Sequence, residues 1–126
     1  MLKYLCLVYA EEERIAKLAD GEWDALVAEN LELCEELRKS GHYVSASPLE
    51  SVQTAVTVRM RKGHLSTTDG PFAETKEQLG GYYLIEARDL HEAILMAGRI
   101  PGARLGSIEV RPLRAHDPRE PWARPK

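Results

Sequence analysis

The chain has 126 residues, 44 % of them hydrophobic and 29 % charged, a length and balance suited to one globular domain with its own core. Twenty acidic residues against seventeen basic ones leave a net charge of −3, without the Lys/Arg excess that neutralises nucleic-acid phosphates or grips anionic lipid. Nucleic acid and membrane are therefore not expected partners, and no segment approaches the ~20 apolar residues of a membrane-spanning helix.

Cys6 and Cys34 lie in apolar-patterned segments and are expected to act as small buried hydrophobes. The apolar run 5–10 is too short for a secretory signal, and the charged residues Glu11 to Arg14 follow it. A reducing, cytoplasmic setting is the expectation.

Leu2 to Tyr9 is β-favouring and largely apolar on both alternating faces, so it reads as a central strand covered on both sides. Glu11 to Leu18 is a charged connection with room for a helical turn. Asp20-Gly21-Glu22 then starts a helix, with acids where the N-terminal dipole favours them. Trp23, Val27, Leu31, Cys34 and Leu37 recur at three- and four-residue steps as its apolar stripe, with Leu26 beside it. Arg38 and Lys39 occupy the last turn and Gly41 caps it.

Tyr43 to Ser47 is a short strand ending at Pro48. Thr54 to Arg61 alternates, with Val56, Val58 and Met60 on one face; Lys62-Gly63 is a turn, and His64 to Thr68 returns as the second arm of a hairpin. Asp69-Gly70-Pro71-Phe72 breaks the pairing, and Ala73 to Leu79 is a helical turn or ordered loop. Gly81 to Ala87 is a further strand, with Tyr83, Ile85 and Ala87 on one face and Tyr82, Leu84 and Glu86 on the other. Asp89 and Glu92 have the spacing of a capping box ahead of a helix whose stripe is Leu90, Ala93, Ile94, Ala97 and Ile100, stopped by Pro101-Gly102. Ser107 to Leu113 is the last strand. The domain thus spans 1–113, and 114–126 is a Pro/Arg-rich tail with Trp122 as its large apolar anchor.

The order β-α-β, hairpin, β-α-β predicts an α+β fold of the ferredoxin-like, split βαβ kind, with both helices on one face of the sheet. Because the strands at Leu2–Tyr9 and Tyr82–Ala87 are apolar on both faces, the second face needs a cover. A second copy of the sheet is the simplest one, which predicts a homodimer.

The segment Thr68 to Ala87, TDGPFAETKEQLGGYYLIEA, resembles the signature of the YCII-related family in its DGPF subgroup. The similarity continues through Ala93 to Arg104 and through Gly106 to Pro112, GSIEVRP, and includes Leu2 to Tyr9 and Thr54 to Arg59. The resemblance implies a dimeric α/β-barrel of two ferredoxin-like subunits. It also implies, for some relatives, a His and Asp pair in a cleft or dehalogenation-type or ring-lactone chemistry. Subgroup members are often encoded beside extracytoplasmic-function sigma factors, which implies a regulatory context. The helix Glu22 to Lys39 contains no histidine, so a helix-borne His does not carry over; the Asp69 loop does.

Asp69 is accordingly the candidate catalytic residue, as a general base held at a strand end. Its commoner use in turns is to accept backbone N–H bonds, and that is the default role. Gly70, Pro71, Phe72, Glu74, Lys76 and Tyr82 are the candidate ligand-binding residues. Against this stands the ordinary use of such charges as solvated rim and of tyrosines as core or interface packing. Gly80-Gly81 permits close backbone approach but belongs to no phosphate loop. His42, His64, His91 and His116 have no ligand spacing with a second His or a Cys, so no metal is expected, and no cofactor. A small-molecule binder or enzyme and a non-enzymatic regulatory or interaction module both remain open.

Overall fold

A computed structural model describes residues 1–115, 117, 119–122 and 124. His116 and part of the tail that contains it lie outside the described residues. Among the described residues, six strands and three α-helices follow in the order β1 (Leu2–Ala10), α1 (Glu12–Ala16), α2 (Asp20–Lys39), β2 (Tyr43–Pro48), β3 (Val56–Arg61), β4 (His64–Asp69), β5 (Gln78–Ala87), α3 (Leu90–Ala97) and β6 (Ser107–Pro112). The architecture is mixed α+β with antiparallel sheets.

Four strands form one sheet in the order β2-β5-β1-β6, and every neighbouring pair is antiparallel. β1 and β2 therefore run parallel with β5 between them, and β5 and β6 run parallel with β1 between them. Each parallel pair is joined through a helix, as two interleaved β-α-β units. β3 and β4 pair only with each other, as a separate two-stranded sheet. Its two-residue turn, Lys62 at φ 50 and Gly63 at φ 76, has the positive dihedrals that match the right-handed twist of a hairpin.

The core lies between one face of the large sheet and the helices. Tyr4 and Cys6 of β1 and Tyr83, Ile85 and Ala87 of β5 point into it, and Leu33, Leu37, Ala93, Met96, Ala97 and Ile100 meet them. Alternation within the strands selects this set, since residues two apart share a face. Burial pushes the Cys6 thiol up to about 11, which keeps it protonated and inert. Cys34 is only half-buried and lies against the Tyr83 hydroxyl, so the expectation that both thiols are core residues holds for Cys6 alone.

Two helical stripes differ from the expectation. In α2 the buried or half-buried positions are Leu26, Glu29, Asn30, Leu33, Cys34 and Leu37, while Trp23, Val27 and Leu31 are 39–66 % exposed. The sequence stripe drifts because 3.6 residues per turn rotates a row of four-residue steps off the core over a 20-residue helix. In α3, Met96 replaces Leu90 and Ile94 in the core, and the helix ends at Ala97 with Gly98 as its cap rather than at Pro101. Pro101–Arg104 forms a separate 3-10 turn.

The C-terminus of α2 agrees with the expectation. Gly41 has φ 80, its N–H bonds to the Arg38 carbonyl, and the His42 N–H bonds to the Leu37 carbonyl, the double closure of a Schellman motif. Gly41→Ala should cost about 1–2 kcal/mol from the left-handed conformation alone. A melting curve unchanged by the substitution would show that this turn does not need its glycine.

Candidate functional site

The loop that carries the sequence candidates leaves the hairpin at Asp69 and returns to the large sheet at Gln78. Its first residues are strapped to β3. The Gly70 N–H bonds to the Ala55 carbonyl at 2.7 Å, and the Thr57 hydroxyl donates to the Gly70 carbonyl at 2.9 Å. The far end is tied by Gln78, whose amide donates to the Thr75 carbonyl and whose Oε1 accepts the Glu12 N–H. Glu12 in turn accepts from the Val52 N–H and the Ser51 hydroxyl, and the Ser107 hydroxyl donates to Glu77. The loop, α1 and the segment entering β3 thus meet at one end of the large sheet.

Asp69 pairs with Val56 across the hairpin and is exposed. Among the described residues no N–H or side chain donates to its carboxylate, so the expected turn-forming hydrogen bonds are not made. Pro71, Phe72, Glu74 and Lys76 are exposed, Phe72 to 83 %, and the Lys76 ammonium stands 3.9 Å from Glu11. Tyr82 is elsewhere. It lies inside β5 between Leu7 of β1 and Ser47 of β2, and its hydroxyl hydrogen-bonds with that of Ser45 at 3.1 Å. Asp69, Gly70, Pro71, Phe72, Glu74 and Lys76 thus follow one another along this loop, and Tyr82 lies on the large sheet.

That sheet face is the one the helices do not cover. Leu5 and Leu7 of β1 and Tyr82 and Leu84 of β5 are half-buried at its centre. By register they are flanked by Ser45 and Ser47 of β2 and by Glu109 and Arg111 of β6. Tyr9 donates to Glu109 on the same side. An apolar centre with a polar rim is the anatomy of a protein interface.

Two surface cavities lie away from the loop. One, of about 310 Å³, is lined by Ile15, Ala16, Leu18, Asp20 and Trp23. The other, of about 240 Å³, is lined by Glu29, Glu32, Leu33, Glu36, Arg99 and Pro101. Its charges are largely spent on each other and on a neighbour, Arg99 on Glu36 and Arg104 on Glu29. Among the described residues no group of three or more His, Cys, Asp or Glu is placed to hold a metal, and no helix is long and apolar enough to cross a membrane.

One polar cluster escaped the sequence reading because its members are 50 residues apart. His42 Nδ1 lies 2.7 Å from the Ser40 hydroxyl and Nε2 lies 3.1 Å from Glu92. Glu92 also accepts from the Arg88 N–H and guanidinium. Serine, histidine and carboxylate in line have the order of a hydrolase triad. The N–H groups of Ser40, Gly41 and His42 are all spent on carbonyls of the last turn of α2, at the negative end of the helix dipole. An oxyanion would find no donor there, so the cluster is a clamp between the end of α2 and the start of α3. Asp89 caps α3 as expected, accepting the Glu92 N–H, whereas Glu92 reaches back to Arg88 rather than Asp89.

The Arg88 N–H, the Arg88 guanidinium and His42 hold the Glu92 carboxyl below its ordinary range. A carboxylate depressed in the folded state adds stability above its unfolded pKa and loses it as pH falls through the folded one. The melting temperature of Glu92→Gln should therefore lie below wild type at neutral pH, and the gap should close as pH falls through the depressed folded pKa of Glu92. A gap independent of pH would remove the carboxylate from the acid limb.

A YCII-related domain model matches residues 2–117, and the chain belongs to the YCII-related family. An uncharacterized protein of Rhizobium meliloti (strain 1021) is 34 % identical over 119 residues, covering 93 % of this chain and 96 % of that one.

Proposed function

We propose that the protein works as a homodimer of ferredoxin-like subunits, and that it binds or transforms a small molecule in a cleft bordered by Asp69, Gly70, Pro71 and Phe72. The open sheet face carries this reading, because Leu5, Leu7, Tyr82 and Leu84 form an apolar centre that the chain's own helices leave uncovered. The strand order β2-β5-β1-β6 supports the ferredoxin-like description, and two such sheets joined face to face make a dimeric α/β-barrel. Asp-Gly-Pro-Phe at 69–72 supports placement in the DGPF subgroup. Two unpaired thiols suit a reducing, cytoplasmic setting.

The exposure of Asp69 favours a second reading, a non-enzymatic regulatory or interaction module tied to sigma-factor signalling. Asp69→Asn separates the two. Compounds are first screened by thermal shift against the wild type, and the variant is then compared with any hit. A general base lost from a cleft should lower turnover by ~10²–10⁴ with melting unchanged. An Asp69 that serves no cleft, exposed and without a donor on its carboxylate, should leave both melting and the hold on the ligand as before. That second result, or a screen without hits, would count for the regulatory module.

A further inference from the structure

Strand β3 leaves two kinds of group without a partner. The first is charge. Residues 51–68 contain no Asp or Glu, although the chain has twenty, and Arg59, Arg61 and Lys62 fall within this stretch. Arg59 and Arg61 share one side of β3 by alternation, and Lys62 follows in the turn. Among the described residues none of the three makes an ion pair, and the Arg61 guanidinium reaches only the Met60 carbonyl. Arg59 is half-buried, where an uncompensated cation loses solvation and gains nothing in return. The second is backbone. The Gly70 N–H bonds to the Ala55 carbonyl at 2.7 Å, and Arg61 faces His64 across the two-residue turn. Thr57, Arg59 and Arg61 therefore exchange their hydrogen bonds with β4, and the alternation of an antiparallel ladder turns the N–H and C=O groups of Val56, Val58 and Met60 to the other edge. No strand pairs there among the described residues.

We propose that the free edge of β3 is a docking site for an extended, acidic segment of another protein, which adds to the hairpin as a third strand. Two separate needs select this occupant. An edge of alternating donors and acceptors is completed by a polypeptide backbone. Unpaired guanidinium groups on one side of the strand are completed by carboxylates at every second residue of the incoming strand, because residues two apart share a face. A nucleic acid or an anionic bilayer meets the second need and not the first. The whole chain is −3, which leaves −6 outside Arg59, Arg61 and Lys62, and that field repels so extended a polyanion. A short acidic segment stays on the basic strip. Its intervening residues emerge beside Val58 and Met60, so the sequence recognised alternates acidic with apolar residues. Docking here requires neither the cleft nor a second copy of the chain.

The probe is a dye-labelled peptide alternating glutamate and valine, titrated into the full chain by fluorescence anisotropy, with amide exchange followed by NMR. Binding should saturate and weaken as salt rises, and Arg59→Gln combined with Arg61→Gln should loosen it by ~10-fold or more. The bound peptide should protect the amides of Val58 and Met60, while those of Arg59 and Arg61, already in the hairpin ladder, should change little. Methylating the peptide nitrogens that face β3 should also cost ~10-fold or more, and this control leaves the protein itself unaltered. Val58→Pro removes an outward donor and no ladder bond, so binding should fall with the circular dichroism spectrum kept. A peptide that does not saturate, a lysine-valine peptide bound equally well, or a methylated peptide held as tightly as its parent overturns the proposal. Protection of Val58 and Met60 that rises with protein concentration alone would assign the edge to a second copy, and the same protection by a single-stranded oligonucleotide would assign it to nucleic acid; either result overturns the acidic segment.

Discussion

Replacing Gly106 by alanine should lower the melting temperature by on the order of 10–20 °C or prevent soluble folding. A Cβ at this position would stand 1.9 Å from the Tyr9 carbonyl oxygen and 2.9 Å from the Ala10 Cα, both backbone atoms at the end of β1. Side chains can rotate away from an added methyl; a paired strand cannot. Relief requires β6 to retreat from β1, which strains the Tyr9–Ser107 end of the ladder and the Gly106 N–H bond to the Gly102 carbonyl. Combined steric and hydrogen-bond losses of this type reach about 4 kcal/mol, a large part of the ~5–15 kcal/mol that holds a domain together. Gly21→Ala is the control, since nothing lies within 4 Å of its Cβ direction and it falls in the first turn of α2. Alanine there should be neutral or stabilising by up to about 1 kcal/mol. Equal melting of the two variants would contradict the close approach of β6 to β1.

Leu84→Lys should convert the proposed dimer into a folded monomer. Leu84 and Ile85 are neighbours in β5, yet Ile85 is 1 % exposed in the core while Leu84 faces away from the helices among the half-buried residues of the open face. A lysine at 84 therefore leaves the helix-sheet core untouched and places an ammonium in the apolar centre of the proposed sheet-to-sheet contact. An uncompensated charge in such a place costs several kcal/mol, and two-fold symmetry places it there twice. At about 1.4 kcal/mol per tenfold, the dissociation constant should rise by ~10³ or more. Light scattering should move from about twice the chain mass of 14.2 kDa to the single-chain value, with the circular dichroism spectrum kept. Wild type and variant of the same mass would remove the open face from assembly. Ile85→Lys is the contrasting case and should abolish folding altogether.

Elements whose signal is local were legible in the residues. The strand period of β5 grouped Tyr83, Ile85 and Ala87 on one face, because a two-residue period leaves only two possible faces; the packing of the helices turned that face, with Tyr4 and Cys6 of β1, inward. The glycine at 41, the turn at Lys62-Gly63 and the Asp89 cap were legible for the same reason, since dihedral and capping requirements act within a few residues. Gly81 was expected to allow close approach, and a Cβ there would meet the Ser47 carbonyl at 2.9 Å.

By itself, then, the sequence determined the order of elements, the period of each strand and the family signature from Thr68 to Ala87. Tertiary structure alone decided three further things, each because it depends on what lies opposite. The buried side of α2 is a continuous property of helix rotation against the sheet, so Trp23 and Leu31 fell outside it although their spacing matched Leu37. The clamp of His42, Glu92 and Arg88 joins residues that no local spacing relates, and it exists only because the end of α2 is packed beside the start of α3. Asp69 and Tyr82 read as one site along the chain, and the fold sets them in different sheets, Asp69 at the end of the β3–β4 hairpin and Tyr82 inside β5 of the large sheet.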